Sequence, residues 1–219
     1  MKYLFPALAL VLTPLVCRAQ KAPVQDPAAA EVLAGMAKRY KAYKAFAADF
    51  TRTTVNAAGK PIEQDKGTVT VAGPKFRIET EGLKLFCDGK TLYTYVLASK
   101  EVNITTYEPD PAEITPVNVF DIYKQGYKYM LAAQLKTPTG FVDVIDLEPE
   151  DITKDISKVR LVVAKKTFAL RRYILTERGT NNRSTFTIER FLPNPKVSAS
   201  TFVFDKKKHP GVKKVVDLR

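Results

Sequence analysis

The fold is decided by residues 67–107, GTVTVAGPKFRIETEGLKLFCDGKTLYTYVLASKEVNITTY. Apolar and polar side chains alternate through Thr68–Val71, Lys75–Glu79 and Leu83–Leu85. Gly73-Pro74 and Asp88-Gly89 interrupt the alternation, and the pattern resumes in Thr91–Val96. A period of two in β-branched and aromatic residues, broken by turn dipeptides, is typical of an antiparallel meander. One face of this predicted sheet is apolar, so another part of the chain has to cover it.

The first 19 residues have the composition of a secretory signal. Lys2 precedes an apolar run from Leu4 to Val16, and Cys17-Arg18-Ala19 places small residues at the −3 and −1 positions. The run is shorter than the ~20 residues of a spanning helix. A lipid anchor at Cys17 is the alternative, but Val16 stands where lipoprotein signals need a small residue. We expect cleavage after Ala19 and a single domain over residues 20–219.

The formal net charge is +12, with basic clusters at Lys206–Lys208 and Lys213-Lys214. An exported chain meets little nucleic acid, so we expect no nucleic-acid partner. The clusters either attract an anionic membrane surface or acidic partner, or form a solvated tail. After cleavage Cys87 is the one cysteine, which excludes an internal disulfide and predicts a buried apolar role.

Two helices are predicted beside the strands. Asp26 can cap a helix over Ala28–Phe46, in which apolar residues recur every three or four positions. A second helical pattern covers Thr115–Gln134; it is either a mobile lid over the apolar face or a fixed packing element. Further strands are predicted at Ala48–Val55, Val102–Thr106, Phe141–Leu147, Lys158–Ala164, Leu170–Glu177, Ser184–Arg190 and Ser200–Phe204.

Residues for catalysis or metal binding are sparse. His209 is the one histidine, so neither a histidine metal pair nor a Ser-His-Asp or Cys-His set can be assembled. Neither standard phosphate-binding glycine loop occurs, and no cofactor is implied. We therefore expect a binding protein, not an enzyme.

The order of motifs resembles the LolA family of periplasmic lipoprotein carriers. The resemblance rests on Phe46-Ala-Ala-Asp-Phe50-Thr, Gly67-Thr-Val-Thr-Val, Gly73-Pro74-Lys-Phe76-Arg-Ile78 and Asp88-Gly-Lys-Thr-Leu-Tyr-Thr-Tyr95. Thr115-Pro116 and the late Phe202-Val-Phe204 segment also match the pattern of the family. It implies an α+β, mainly β fold. In this fold a strongly curved antiparallel sheet forms an incomplete half barrel, whose concave face is covered by the N-terminal helix and a helical lid.

The resemblance also implies a function. Family members hold the acyl chains of lipoproteins between sheet and helices, receive them from an inner-membrane ABC-type release complex, and deliver them to an outer-membrane acceptor. Acylated lipoproteins are then the ligands, the protein is a monomer, and it works in the periplasm. Alternatives on the same half barrel are a lipid-sensing or interaction module, or a carrier of another lipid.

Candidate lipid-binding residues follow from the resemblance and from alternation. The resemblance assigns Phe46 to the first helix, Val117 and Phe120 to the lid, and Phe76, Ile78, Leu85 and Tyr93 to the sheet. Alternation and helical phase add Met36, Val69, Val71, Tyr95 and Ile104. One position departs from the family: where members carry an arginine that holds the lid closed, this chain has Gly73. Either the lid is held differently or its closed state is weaker.

Overall fold

A computed structural model describes residues 25–110 and 113–219. The predicted signal segment and the Cys17 alternative lie outside the described residues. The described part contains one α-helix and twelve strands. In chain order they are α1 (Pro27–Lys41), β1 (Phe46–Val55), β2 (Pro61–Ala72), β3 (Lys75–Thr80), β4 (Leu83–Cys87), β5 (Thr91–Val96), β6 (Glu101–Thr106), β7 (Tyr127–Thr137), β8 (Gly140–Pro149), β9 (Ile156–Ala164), β10 (Leu170–Glu177), β11 (Arg183–Pro193) and β12 (Lys214–Asp217).

The strands form one curved, open sheet in the order β12-β6-β5-β4-β3-β2-β1-β11-β10-β9-β8-β7. Neighbouring strands are antiparallel except β12, which runs parallel to β6. The sheet does not close into a barrel, because β7 and β12 remain as edges. The predicted incomplete half barrel is confirmed.

The meander of the quoted stretch is confirmed as β2 to β6. Val71 pairs with Phe76, and Ile78 pairs with Leu85, so these apolar residues share the inner face of the sheet, the face that carries α1. The β2–β3 turn places Gly73 at φ +57°, and the β4–β5 turn places Gly89 at φ +94°. Both angles lie in the left-handed region that glycine adopts without steric cost.

Helix α1 is anchored at its start by one carboxylate. Asp26 Oδ1 accepts from the Ala28 N–H at 2.9 Å, and Oδ2 accepts from the Leu131 N–H of β7 at 2.9 Å. The helix ends at Lys41, five residues before the predicted end. Phe46 is therefore not helical: it opens β1 and pairs with Val71 and Pro193. The extended pairing of Phe46 on both sides explains the early stop, because helical and ladder hydrogen bonds exclude each other.

Residues 115–134 do not form the predicted helix. Thr115 to Asp121 form turns, Ile122–Lys124 make one turn of 3₁₀-helix, and β7 begins at Tyr127. Gly126 at φ +72° separates the turns from the strand. Tyr127, Tyr129 and Leu131 alternate with polar or exposed residues, and this period of two prevails because β7 pairs with β8 along its whole length. We call residues 115–124 the lid segment.

The chain end also differs from the prediction. Ala199–Phe202 is a 3₁₀-helix with a Ser198–Thr201 capping box, where a strand over Ser200–Phe204 was predicted. The last strand is β12, beside β6. Phe204 and Val212, which lie in the chain between this 3₁₀-helix and β12, pack on the outer face of the sheet, opposite α1.

The core is divided between two parts of the inner face. Buried residues of α1, among them Leu33 and Met36, pack on Ile145 and Leu161 of β8 and β9. On the other half, Val71, Phe76 and Cys87 form a smaller cluster, against which Val117 of the lid segment packs. The space between these clusters contains the candidate site. Among the residues described, no helix is long and apolar enough to cross a membrane.

Candidate functional site

An apolar cavity of about 590 Å³ lies between the inner face, α1 and the lid segment. This volume is in the range of ~300 to ~1,000 Å³ that is usual for sites enclosing small ligands. Strands β1 to β5, β10 and β11 contribute to the wall. The large apolar and aromatic side chains that line it are Tyr40, Phe46, Phe50, Val69, Ile78, Leu83, Leu85, Val96, Val119, Phe120, Leu170, Tyr173, Phe186, Ile188 and Phe191.

Aromatic rings close one end of the cavity. Phe120 of the lid segment stacks on Tyr40 of α1, and its ring meets Phe46 edge-on at 5.6 Å. Phe46 stacks on Phe191 of β11 at 5.6 Å. The Tyr40 hydroxyl accepts a hydrogen bond from the Leu170 N–H at 3.2 Å. Burial raises the pKa of Tyr40 to about 12, so its ring stays neutral at physiological pH.

The lid segment is shaped by a short polar network. Asn118 Oδ1 accepts from the Thr115 N–H at 2.8 Å, and its Nδ2 donates to the Glu113 carbonyl at 2.6 Å. Asp121 forms an ion pair with Lys41 at the end of α1, with 3.0 Å between Nζ and Oδ2. Lid and helix are thus joined by this ion pair and by the Phe120–Tyr40 stack. Gly73 lies near Val117 but serves a turn that needs positive φ.

Five of the predicted site residues line the main cavity: Phe46, Val69, Ile78, Leu85 and Phe120. Val71 and Val117 line a smaller pocket of about 260 Å³, which also borders Phe46 and Phe120. The two spaces therefore share the aromatic rings at the lid.

Two predicted residues are core. Met36 of α1 is fully buried, in the cluster that contains Leu33 and Ile145. Phe76 is buried between Val71 and Cys87, with its ring 5.5 Å from Tyr107. Both are on the inner side as expected, but they contribute to the packing behind the cavity and not to its surface.

Tyr93, Tyr95 and Ile104 lie on the outer face, contrary to the expectation from the family resemblance for Tyr93 and from alternation for Tyr95 and Ile104. The β4–β5 register pairs Leu85 with Thr94, so the neighbouring tyrosines point the other way. Tyr93 and Tyr95 instead contact Phe204 of the C-terminal segment, and Ile104 belongs to the same cluster. Strand β5 has apolar residues on both faces, so its alternation could not decide which set faces inward.

Several lining residues were not predicted. Phe50, Phe186, Ile188 and Phe191 of β1 and β11 form much of the wall, together with Tyr173 of β10. Tyr173 stacks on Phe186 with 4.5 Å between ring centroids. The sequence contained a pattern that indicates part of this set, because Phe186 and Ile188 alternate with Thr185 and Thr187.

Charged side chains occur at the end of the cavity remote from the lid. Arg52 of β1 lies opposite Asp65 of β2 and contacts Glu63 two residues before it. Its Nε and Nη2 donate to Asp65 Oδ2 at 3.1 and 2.5 Å, and Nη2 also donates to Glu63 Oε1 at 2.5 Å. The cavity therefore has an aromatic end at the lid and a charged end, which we call the polar end, at Arg52, Glu63 and Asp65.

Two further reactive side chains of the described residues, Cys87 and His209, lie away from the cavity lining. Cys87 is a buried free thiol in the core, and burial raises its pKa. His209 stacks on Phe204 on the outer face, where burial and then Lys84 and Arg77 lower its pKa. In residues 25–110 and 113–219, no three metal-ligating side chains meet. What the lining can do chemically is to exclude water from an alkyl ligand.

The family model described as outer membrane lipoprotein carrier protein LolA matches residues 41–205. No curated protein sequence matches the chain. Among solved structures, an uncharacterized conserved protein from Thermus thermophilus is similar with a TM-score of 0.58 and 12% identity, over 87% of this chain and 99% of that chain.

Two further solved structures are similar at lower TM-scores. A LolA superfamily protein from Nitrosomonas europaea has a TM-score of 0.45 and 12% identity, over 81% of this chain and 98% of that chain. LprF from Mycobacterium bovis has a TM-score of 0.44 and 11% identity, over 80% and 97%. The family match covers most of the chain, and on that ground the protein belongs to the LolA family of outer membrane lipoprotein carrier proteins.

Proposed function

We propose that this protein is a periplasmic carrier that holds the acyl chains of lipoproteins in the apolar cavity and takes them from the inner to the outer membrane. The observation that supports the proposal most directly is the cavity of about 590 Å³ between sheet and lid segment, with its predominantly apolar lining. Family membership supports the same cargo. The signal-like residues 1–19 support export.

The cavity volume limits how much cargo is enclosed. A methylene group takes roughly the ~30 Å³ of a water molecule, so about 590 Å³ holds about twenty methylenes. That is one long acyl chain with some space left. A diacylated or triacylated anchor would fit only if the lid segment moved away from the sheet or if part of the cargo stayed outside.

Partial enclosure agrees with the energetics of a carrier. Burying a methylene gains about 0.8 kcal/mol, so a chain of about fifteen contributes ~12 kcal/mol and three chains ~36 kcal/mol. The practical ceiling for non-covalent affinity is ~18 to ~21 kcal/mol. Complete burial of three chains would therefore make release too slow. The cost of opening the lid offsets part of the gain and makes handover possible.

The remaining parts of the proposal follow from the carrier role. Cargo arrives from an ABC-type release complex of the inner membrane and leaves to an outer-membrane acceptor. The protein acts as a monomer, needs no cofactor and catalyses no reaction. Each transfer runs toward the partner with the lower free energy for the acyl chains, so the carrier itself uses no ATP.

Native mass spectrometry of residues 20–219 with a purified triacylated lipoprotein tests the proposal. We expect a one-to-one complex that is lost in Ile78→Glu, because Ile78 lines the cavity. Ile62→Glu is the matched control: Ile62 is on β2 and 57% exposed, outside the lining. Absence of a complex with the unmodified protein would contradict the carrier role and favour a sensing or interaction module.

A further inference from the structure

The polar end of the cavity has a composition that an acyl-chain site does not need. Among the lining residues described, Arg52, Glu63 and Asp65 carry the charges, and all three lie at the end opposite the lid. The arginine side chain is 30% exposed, Asp65 15% and Glu63 54%. The group is thus reached by solvent through Glu63, while Asp65 lies at its inner side.

The hydrogen bonds of this group are incomplete. Arg52 uses Nε and Nη2 on its two carboxylate partners, and both bonds to Asp65 end on the same oxygen, Oδ2. The other oxygen, Asp65 Oδ1, is buried and has no hydrogen-bond partner in the described structure. Buried polar atoms are normally paired, so an unpaired carboxylate oxygen beside a ligand cavity indicates a missing donor.

The charge balance indicates what kind of donor is missing. One guanidinium faces two carboxylates, so the polar end has a net charge of −1 when all three groups are ionised. An anionic phosphate would be repelled by Glu63 and Asp65, whereas a protonated amine would be attracted by both and would donate hydrogen bonds. An ionised carboxylate can only accept hydrogen bonds, and Asp65 Oδ1 accepts none in the described structure.

The distance along β1 fits a ligand with its amine at this end. From Phe46 at the aromatic end to Arg52 there are six residues of extended chain, which span ~20 Å. The tails of one bilayer leaflet span ~15 Å, half of the ~30 Å hydrocarbon core. An acyl chain that begins at the lid therefore covers ~15 of these ~20 Å, and its head group lies beyond the chain, on the side of the polar end.

We propose that Arg52, Glu63 and Asp65 form a head-group site that selects acylated ligands carrying a protonated amine next to the acyl chains, such as a diacylated lipoprotein with a free N-terminal cysteine. This inference rests on the proposed carrier function and adds a ligand class to it. The carboxylates bind the ammonium group, and Arg52 holds them in position.

The test compares two ligands that differ in one charge. Dipalmitoyl-cysteinyl peptides of one sequence are prepared with a free α-amine or with an N-acetyl group, and their Kd is measured by calorimetry at pH 6. An α-amine has an ordinary pKa of about 8 and is protonated there. We expect the free-amine peptide to bind about ten-fold more tightly, the change made by one charge-assisted hydrogen bond.

Substitutions at the carboxylates test whether they cause the preference for the free-amine peptide. Asp65→Asn and Glu63→Gln should each bring the ratio of the two Kd values closer to one. Asp49→Asn is the control, because Asp49 is on the same strand as Arg52 but pairs with Arg190 outside the cavity. If Asp65→Asn fails to fold, as shown by circular dichroism, Glu63→Gln at its exposed position still decides the test.

The outcomes separate the two proposals. Equal binding of both peptides would overturn the head-group site and leave the carrier function in place. A preference that persists in both variants would overturn the assignment to Glu63 and Asp65. Binding of neither peptide would contradict the carrier function itself, and the head-group site with it.

Discussion

The ring of Phe120 lies parallel to the ring of Tyr40, with 3.5 Å between centroids and 8° between planes. This contact joins the lid segment to α1 directly over the cavity, and Lys41–Asp121 adds an ion pair beside it. Because aromatic stacking contributes ~0.5 to ~1.5 kcal/mol beyond burial, each of these contacts between the lid segment and α1 is a small term.

Phe120→Glu tests the lid as part of the binding site. Phe120 is partly buried and its ring borders the cavity, so the carboxylate can turn toward solvent and the fold should survive. A charge at the cavity end would disfavour an alkyl chain, and we expect acyl-peptide affinity to fall at least ten-fold, or about 1.4 kcal/mol. Calorimetry measures the affinity and thermal unfolding measures the fold. A folded variant with unchanged affinity would remove Phe120 from the site.

Asp121→Asn tests the ion pair of the lid. Lys41 is 64% exposed, so the pair should contribute less than about 1 kcal/mol to the free energy of unfolding. We expect little change in Tm but faster hydrogen exchange at the Val119 and Asp121 amides, because the lid segment opens more often. Lys124→Gln is the control, since Lys124 also contacts Asp121 but lies within the lid segment. Equal exchange in Asp121→Asn and the unmodified protein would show that the Lys41–Asp121 ion pair does not hold the lid segment closed.

Met36→Ala separates core from cavity. Met36 of α1 is fully buried and is not among the residues that line the cavity, so truncation should cost about 2 to 5 kcal/mol of unfolding free energy. The affinity of the folded fraction for an acyl peptide should stay unchanged. Denaturant unfolding and calorimetry measure the two quantities. A loss of affinity without loss of stability would return Met36 to the list of ligand contacts.

Tyr40 gives the protein a predictable response to alkaline pH. Burial raises the pKa of Tyr40 from 10.0 to about 12, although the Leu170 N–H bond opposes the shift. The unfolded chain loses this proton at a lower pH than the folded protein does. The contribution of Tyr40 to the free energy of unfolding is therefore fully present below pH ~10, and it decreases as pH rises toward ~12, by up to 1.36 kcal/mol per pH unit. The decrease in unfolding free energy at alkaline pH should be smaller in Tyr40→Phe than in the unmodified protein. Tyr43→Phe serves as the control. Urea unfolding at pH 8, 10 and 11 measures it; identical pH slopes in all three proteins would contradict the assignment.

The antiparallel meander and the apolar face could be predicted from the sequence because they depend on local alternation and on turns at Gly73 and Gly89. The start of α1 could be predicted for the same reason, since Asp26 caps it through a neighbouring N–H. These features depend on residues close together in the chain. Five cavity residues, including Ile78 and Phe120, followed from that pattern together with the family resemblance.

Long-range pairing decided the rest. Phe46 is a strand residue and not a helical one because β2 and β11 pair with it on either side. Residues 127–137 form a strand because β8 pairs with them. The inward set of β5 was decided by its register with β4, since both faces of that strand are apolar. The polar end required the tertiary structure as well: only the β1–β2 ladder brings Arg52 opposite Asp65, thirteen residues later. Alternation shows that a strand has two faces, but only its neighbours determine which face is buried.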